Sequence, residues 1–419
     1  MWGTKLAGVA GCAFAASDPT LLALSCILST DVGVSLFAIL TCYLIWEYAA
    51  NPSRGLLIAL SVSVGLLLGT KFSALGLVAG LGLGGIVFVW RGGALSLPGV
   101  AQPHGFRTAL EFAIRVGVVA VVVLAATYAF IHFPEWGTGL KFQLTRSSHG
   151  DGEAYLLGEV SRTGWFHYFL VALPLKLPLG LLIAAGVSAV LHLWRSGSQS
   201  ESVRGRALLL IIPPLVFLAL ASYSRVDVGI RAVLPVVPFL YLLAAGLAAP
   251  ACCCFVRWLV LAGFLVWCGI VAQQANPHDL AYFNEFAGGS QHAVKYLADS
   301  NLDWGQSLPA LKEWMNTAGV DVIYLAYFGT DRPEVYGIRF QQLPCYGRVG
   351  PPSGDTVPLN APRHVLALSA NHLAGLNVHD VYAWLRDRAP VAIIDGSIHV
   401  FDLTGDQDAI ARVRALPIK

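Results

Sequence analysis

The sequence predicts a polytopic all-α membrane domain of about nine membrane helices, followed by a small soluble α/β domain. Hydrophobic residues make up 56% of the 419 residues and charged residues only 12%, whereas charged residues are about a quarter of an ordinary soluble domain. Long apolar segments recur up to residue 275, and most approach the roughly 20 residues that a helix needs to cross a bilayer. The two predicted domains are therefore 1–275 and 276–419.

Nine apolar segments are interpreted as membrane helices. The first is short for a full span, and the nearly continuous apolar region 55–90 is divided at Thr70 and Lys71 into a hairpin. The segments are 3–16, 31–49, 54–70, 73–90, 108–131, 175–194, 206–222, 232–249 and 254–274.

A glycine-rich stretch, GLGLGG at 80–85, matches the spacing GxGxxG. It lies inside an apolar segment and not between a strand and a helix, so it does not indicate a dinucleotide site. Small residues at this spacing are typical of close helix–helix packing in membranes.

The region after residue 276 shows a different periodicity. Amphipathic helices are predicted for HAVKYLAD and LPALKEWMN, and strands for VIYLAYF, HVLALSA, VAIID and IHVFDL. The tripeptide DGS between the last two strands predicts a hairpin turn. DSNLDWGQ, with Asp299, Asp303 and Gln306, is either a contact for substrate or a capped turn.

Charge and cysteine content exclude two classes of function. The net charge is +2 and no basic run is interleaved with aromatic residues, so no nucleic-acid partner is expected. No Cys/His spacing suggests zinc and no signature demands a metal. The run CCC at 252–254 is interpreted as small apolar packing, with lipidation as an alternative.

Cationic loops predict the orientation in the membrane. Four short loops, which alternate with the others along the chain, are rich in arginine: NPSR, 91–107, 195–206 and 249–257. The positive-inside rule predicts that these four loops are cytoplasmic. The opposite, extracytoplasmic face then collects 17–30, Thr70-Lys71, 132–174, 222–231 and the C-terminal domain. The arginines of the predicted cytoplasmic loops are Arg54, Arg91, Arg107, Arg195, Arg204, Arg206 and Arg257.

Ionisable residues gather on that predicted external face. Such groups near membrane depth are costly unless they meet a partner or a cavity, so they are candidates for a functional site. Arginine and lysine bind phosphate, and a carboxylate can accept a proton from an attacking hydroxyl. The candidates are Asp18, Asp31, Lys71, Glu159, Arg162, Lys176, Arg225, Asp227 and Arg231.

Each candidate also has a structural interpretation. Lys71 could extend from a helix end to the head groups, and Asp18 and Asp31 could cap helices. Arg225 and Arg231 could pair with Asp227 or bind bulk lipid phosphates. Glu159 and Arg162 could form an ordinary loop ion pair.

Four stretches in order resemble glycosyltransferase family 39, which includes protein O-mannosyltransferases and aminoarabinose transferases. The resemblance covers most of the chain. The stretches are STDVGVSLFAILTCYLIWEYAANPSRGLLIALSVSVGLLLGTKFSAL, YLLGEVSRTGWFHYFLVALPLKLPL, SRVDVGIRAVLPVVPFL and LAYFNEFAGGSQHAVKYLADSNLDWGQSLPALKEWM.

This resemblance implies a GT-C-like enzyme of the plasma or inner membrane with an extracytoplasmic active site. Such an enzyme transfers a sugar, with inversion, from a polyprenyl-phosphate donor to an acceptor hydroxyl on a protein or lipid. By position, Thr30-Asp31 matches the acidic motif, Lys71 the membrane lysine and Arg231 the arginine of the late external loop.

The sequence departs from the family pattern at three points. Leu24 and Ala232 stand where related sequences often have histidine. The family also begins with a further span and an external loop that bears the acidic residue usually taken as the base. Asp18 or Asp31 is the expected substitute, with Lys71, Arg225 and Arg231 as lipid-phosphate ligands.

Two other functions remain open. A transporter or lipid flippase explains intramembrane charges, but it predicts inverted repeats and charges at the midplane; no repeat is found. A non-catalytic lipid-phosphate-binding relative, or a truncated fragment, is the other alternative.

Overall fold

The computed structural model describes residues 4–98, 105–150, 152–195, 201–249, 255–346, 355–358 and 360–416. The chain is mostly helical, at 64%, and divides into two compact units. The first unit comprises Met1–His149, Pro178–Arg225 and Arg231–Gln274, and the second comprises Gly150–Leu177, Val226–Ile230 and Ala275–Lys419.

Fifteen α-helices form along the described chain, joined by several short 3₁₀ segments. They are α1 (Lys5–Ala16), α2 (Pro19–Cys26), α3 (Asp31–Ala50), α4 (Arg54–Thr70), α5 (Ala74–Trp90), α6 (Gly105–Thr127), α7 (Phe133–His149), α8 (Tyr168–Lys176), α9 (Leu179–Arg195), α10 (Glu201–Tyr223), α11 (Val237–Ala245), α12 (Phe255–Ala275), α13 (Leu308–Ala318), α14 (Ala370–Leu373) and α15 (Gln407–Arg414).

Seven strands complete the secondary structure of the described residues. They are β1 (Ala154–Leu156), β2 (Glu159–Ser161), β3 (Val322–Ala326), β4 (Arg339–Gln342), β5 (Val365–Ser369), β6 (Ala392–Ile394) and β7 (Ile398–Asp402).

Five stretches of the described chain are long and apolar enough to cross a membrane, or up to seven if each of two bent helix pairs counts as one span. The prediction of about nine spans is therefore too high by this criterion. The helices α4 and α5 have 17 residues each, which gives each a length of about 25 Å, short of a hydrocarbon core of about 30 Å. The five stretches are Asp31–Ala50, Gly105–Thr127, Gly205–Tyr223, Ile230–Ala248 and Phe255–Ala275.

The first predicted span, 3–16, forms a single helix, α1, and a further helix, α2, lies in the segment 17–30 that the sequence assigns to an external loop. Helices α1 and α2 meet at a bend of 67°, because Asp18 caps α2 and Pro19 occupies its first turn. Proline fixes its own φ and disfavours helical geometry in the residue before it. The sequence SDP therefore ends one helix and starts the next.

Glycines of α5 allow close packing against α10, as the sequence predicts. A Cβ placed on Gly80 would lie 2.6 Å from Pro213 Cα, and one on Gly84 would lie 3.5 Å from the Leu208 carbonyl oxygen. In contrast, nothing lies within 4 Å of a Cβ on Gly82. The small residues of this helix thus form the contact face.

The second unit contains a mixed five-stranded sheet in the order β4-β3-β5-β7-β6. Strand β3 is parallel to β4 and β5, whereas β7 is antiparallel to β5 and β6. Strands β3, β5, β6 and β7 and helix α13 are predicted from the sequence, and the turn Asp395–Ser397 joins β6 to β7. Strand β4 is not predicted, and HAVKYLAD does not form an α-helix: its first four residues belong to the 3₁₀ helix Ser290–Lys295.

Three elements lie entirely in the segment 132–174, for which the sequence predicts only an external loop, and α8 begins there. Helix α7 has no buried residue, and strands β1 and β2, of three residues each, form a hairpin. The predicted border near residue 275 coincides with the start of the main segment of the second unit, which also includes the two shorter segments. The run CCC at 252–254, interpreted above as small apolar packing, lies outside the described residues.

Candidate functional site

Three of the candidate residues, Asp31, Lys71 and Arg231, come together in the first unit. The Lys71 ammonium donates to Asp31 Oδ1 at 2.5 Å. On the other oxygen of the same carboxylate, Arg231 Nε lies 3.1 Å from Asp31 Oδ2. This second contact is an ion pair without hydrogen-bond geometry. One carboxylate therefore holds two cations, and we call these three residues the cation cluster.

Helix ends place the three side chains together. Asp31 is the first residue of α3 and Lys71 immediately follows α4. A Cβ on Gly33 would lie 3.1 Å from Thr70 Cγ2, so the start of α3 and the end of α4 pack closely. Arg231 lies in the 3₁₀ segment Ile230–Val236 that precedes α11. The helix dipole favours a carboxylate at the start of α3 and a cation at the end of α4.

Burial differs sharply within the cation cluster. The Asp31 side chain is 0% exposed, whereas Lys71 is 27% and Arg231 is 25% exposed. A buried carboxylate is costly unless it is paired, and two cations provide that pairing. With two cations and one carboxylate the cluster has a formal charge of +1, and its exposed part is cationic.

This arrangement is suited to binding an anion. An ammonium has three N–H donors and a guanidinium has five, and the hydrogen bond to Asp31 uses one of the three on Lys71. Phosphate oxygens are favourable partners for both groups. The Asp31 carboxylate, which is buried and contacts both cations, is placed to position them.

Asp18 has a different environment. Its side chain accepts hydrogen bonds from the Thr20 N–H at 2.9 Å and from the Tyr241 hydroxyl at 2.6 Å, and it is fully buried. It caps α2 and joins that helix end to α11. These contacts match the structural interpretation of Asp18 as a helix cap.

Lys176, a candidate in the membrane domain by sequence, lies inside the second unit. Its ammonium donates to the carbonyl oxygens of Leu280, Tyr282 and Asn301 at 2.8, 2.7 and 2.6 Å. The side chain is 2% exposed, and it also lies 4.6 Å from the centre of the Phe283 ring. Lys176 therefore organises the interior of this unit.

Asp227 pairs with neither Arg225 nor Arg231, and Glu159 does not pair with Arg162, so these structural interpretations left open by the sequence are not realised. Asp227 accepts a hydrogen bond from the Trp165 N–H at 2.6 Å, and burial raises its pKa to about 6. Arg162 pairs with Glu153 at 3.3 Å and not with Glu159, which is exposed on β2. Turn geometry separates side chains that are close in the sequence.

Arg225 is exposed, and its backbone N–H donates to the Ser147 carbonyl oxygen at 3.0 Å. The stretch DSNLDWGQ forms a turn in which Asp303 Oδ1 accepts from the Gly305 N–H at 3.0 Å and Gln306 donates to the Leu302 carbonyl oxygen at 3.1 Å. These contacts match the capped-turn interpretation of that stretch.

Comparisons with known proteins identify no relative of this chain. Neither family models, curated proteins nor solved structures give a significant match to this chain. Among the described residues, no group of three or more His, Cys, Asp or Glu side chains is arranged to hold a metal ion.

Proposed function

We propose that this protein is a membrane glycosyltransferase of the GT-C type that uses a polyprenyl-phosphate sugar as its donor. The acceptor is a hydroxyl of a protein or lipid, and transfer occurs with inversion at the extracytoplasmic face of the plasma or inner membrane. Two lines of reasoning support this: the resemblance of four ordered stretches to glycosyltransferase family 39, and the chemistry of the cation cluster.

The observation that carries the proposal is the pairing of Lys71 and Arg231 across the buried Asp31 carboxylate. All three residues lie at the ends of apolar helices, where a lipid presents its phosphate. Two partly exposed cations held at fixed spacing match the charge of a phosphodiester. Lys71 and Arg231 are the proposed phosphate ligands, and Asp31 fixes their positions.

Glycosyl transfer at this site has a simple balance of bonds. The acceptor oxygen forms a bond to the anomeric carbon while the bond from that carbon to the donor phosphate oxygen breaks. The electron pair of the broken bond leaves with the lipid phosphate, whose charge Lys71 and Arg231 stabilise. The hydroxyl proton passes to a base, for which Asp31 is the candidate at the cluster.

The test is turnover of the full 419-residue chain in lipid nanodiscs with a panel of polyprenyl-phosphate sugars, measured as release of the free lipid phosphate. Lys71→Ala is expected to raise the dissociation constant of the donor roughly 10- to 100-fold, the equivalent of a charge-assisted hydrogen bond. Lys141→Ala is the matched control, because Lys141 is an exposed lysine on α7 of the same unit. Equal donor affinity in the wild type and in Lys71→Ala would show that the cation cluster is not part of the donor site.

Asp31→Asn separates the two roles of the carboxylate. Because Asp31 holds both cations, we expect the variant to lose donor affinity together with turnover. Retained donor affinity with abolished turnover would instead identify Asp31 as the base.

A second function, lipid-phosphate binding without transfer, is favoured by one observation: the Asp31 carboxylate is fully buried while the cations are not. Saturable donor binding that depends on Lys71, with no release of lipid phosphate from any donor of the panel, would select this second function.

A further inference from the structure

A polar cleft of about 300 Å³ lies on the second unit, and none of its lining residues is assigned above to the donor site. Its lining residues are Gly152, Glu153, Arg162, Asn377 and His379. One wall is the β1–β2 hairpin with its flanks, and the other is the segment between α14 and residue 380. Its volume is at the lower end of the roughly 300–1,000 Å³ of small-molecule pockets.

Glu153 links the two walls of the cleft. Its Oε1 accepts from Arg162 Nη2 at 3.3 Å and its Oε2 accepts from the Asn377 backbone N–H at 2.9 Å. The Glu153 side chain is only 20% exposed, whereas Arg162 is 77% exposed. The carboxylate is thus fixed, while most of the guanidinium faces solvent.

Several polar groups at the cleft have capacity for a ligand. Within the described residues, Arg162 uses one of its five N–H donors on Glu153. The Asn377 amide and the His379 imidazole are exposed and lie at the same cleft. Donors and acceptors are therefore mixed, and the charge of Arg162 is balanced by Glu153.

The backbone of the second wall is held in an unfavourable conformation. Asn377, His379 and Asp380 have φ values of 62°, 51° and 53°, in the left-handed region that non-glycine residues rarely adopt. Strain of this kind persists where the surrounding structure enforces it, and it clusters at binding sites. At residues 377 and 379 this conformation places side chains at the cleft that a glycine would not supply.

We infer that this cleft binds a saccharide through neighbouring hydroxyl groups. A balanced guanidinium–carboxylate pair offers donors and an acceptor side by side, which matches a vicinal diol, and the amide and imidazole can accept or donate to further hydroxyls. The volume is sufficient for one sugar ring. Because the cleft is open and polar, we expect a dissociation constant of about 1 mM for a monosaccharide. The inference is independent of the proposed transfer reaction.

The experiment is saturation-transfer difference NMR on the full chain in nanodiscs, with mannose, glucose, glucuronate and inorganic phosphate as separate probes. We expect at least one of the sugars to bind saturably. Arg162→Ala should weaken that binding about tenfold. Arg339→Ala is the matched control, since Arg339 is also an exposed arginine of this unit that lies 3.3 Å from a carboxylate, that of Asp355.

The variants Asn377→Gly and His379→Gly test whether a loss of sugar binding could result from misfolding. Glycine tolerates a positive φ, so both variants should be at least as stable as the wild type in thermal unfolding while they bind the sugar less well. Binding unaffected by Arg162→Ala, or weakened equally by Arg339→Ala, would overturn the saccharide site, as would no saturable binding of any sugar. Phosphate that binds as tightly as the sugars would show a simple anion site instead. Lys71→Ala should leave sugar binding at this cleft unchanged, so failure here is distinct from failure of the donor site.

Discussion

Two lysines of similar sequence context have opposite surroundings. Lys71 and Lys176 both interrupt apolar stretches, yet Lys176 is 2% exposed and donates to three carbonyl oxygens. Lys71 is 27% exposed and contacts a carboxylate. Neutral carbonyls satisfy the donors of Lys176 within the protein, whereas the exposed part of Lys71 can meet an anion. The partner and the burial of each residue, and not its sequence context, distinguish the two roles.

Asp303 is a residue whose charge opposes the fold of the second unit. It is 1% exposed, and burial raises the pKa of its carboxyl group to about 7. In the unfolded chain the pKa is about 3.9. The protonated carboxyl group therefore favours the folded state. This contribution to stability is fully present below about pH 4 and is lost as the pH rises through about 7.

We predict that Asp303→Asn removes this pH dependence. At pH 8 the variant should be more stable than the wild type by roughly 2–4 kcal/mol, since each unit of pKa shift corresponds to about 1.4 kcal/mol. The measurement is hydrogen exchange of β3 and β5 in the full chain between pH 5.5 and 8.5, corrected for intrinsic exchange rates. Parallel pH profiles for the variant and the wild type would contradict the prediction.

At the scale of secondary-structure elements, α5 and α10 illustrate packing through small residues. In a bilayer, lipid tails are as apolar as leucine, so helices associate through close backbone contact more than through the hydrophobic effect. Gly80 faces the backbone at Pro213, whereas Gly82 of the same helix faces open space. Gly80 and Gly82 therefore allow a contact position and an exposed position to be compared within one helix.

Gly80→Ala is expected to lower the thermal stability of the first unit, whereas Gly82→Ala should leave it unchanged or raise it. The added methyl group at 80 would lie 2.6 Å from Pro213 Cα, so the helices must separate, at a cost of about 1–3 kcal/mol. At 82 the methyl group meets nothing and improves helix propensity. Thermal unfolding of both variants in the same detergent tests this, and equal melting temperatures would disprove the assigned contact face.

At the scale of the whole molecule, the second unit is assembled from three separate parts of the chain. The segment Gly150–Leu177 contributes Lys176 and also the carbonyl oxygens of Pro174 and Leu177, which accept hydrogen bonds from Asn284 at 2.5 and 2.8 Å. The segment Val226–Ile230 contributes the Ile230 N–H, which donates to Asn301 at 2.9 Å. The C-terminal part is thus incomplete alone.

Accordingly, we predict that a fragment of residues 276–419 does not fold cooperatively. Asn284 and Asn301 are fully buried, and they would lose partners that lie outside the fragment. Unsatisfied buried polar groups cost about 1–3 kcal/mol each, a large part of a stability of 5–15 kcal/mol. A circular dichroism melt should be broad and non-cooperative, whereas a sharp transition would show that the C-terminal part is autonomous.

The sequence by itself determined the features that depend on local pattern. Apolar segments predict α3 and α6, alternation predicts β3, β5, β6 and β7, and the glycines of α5 predict its close packing. Helix α7, the β1–β2 hairpin and β4 escaped prediction because their apolar patterns are short or weak. Two bent helix pairs, α1 with α2 and α8 with α9, and the short helices α4 and α5 reduce the number of spans that satisfy length and composition to between five and seven.

Only the tertiary structure decided which charged residues meet. Charge at an apolar boundary marks Asp31, Lys71 and Arg231 as candidates, but it marks Lys176 and Asp18 equally, and the structure assigns the latter two to internal hydrogen bonds. Glu153, Asn377 and His379 carried no sequence signal, because the cleft that they line joins segments more than two hundred residues apart. Local pattern reports the environment of a segment, whereas a site depends on distances between segments, which the packing of the whole chain sets.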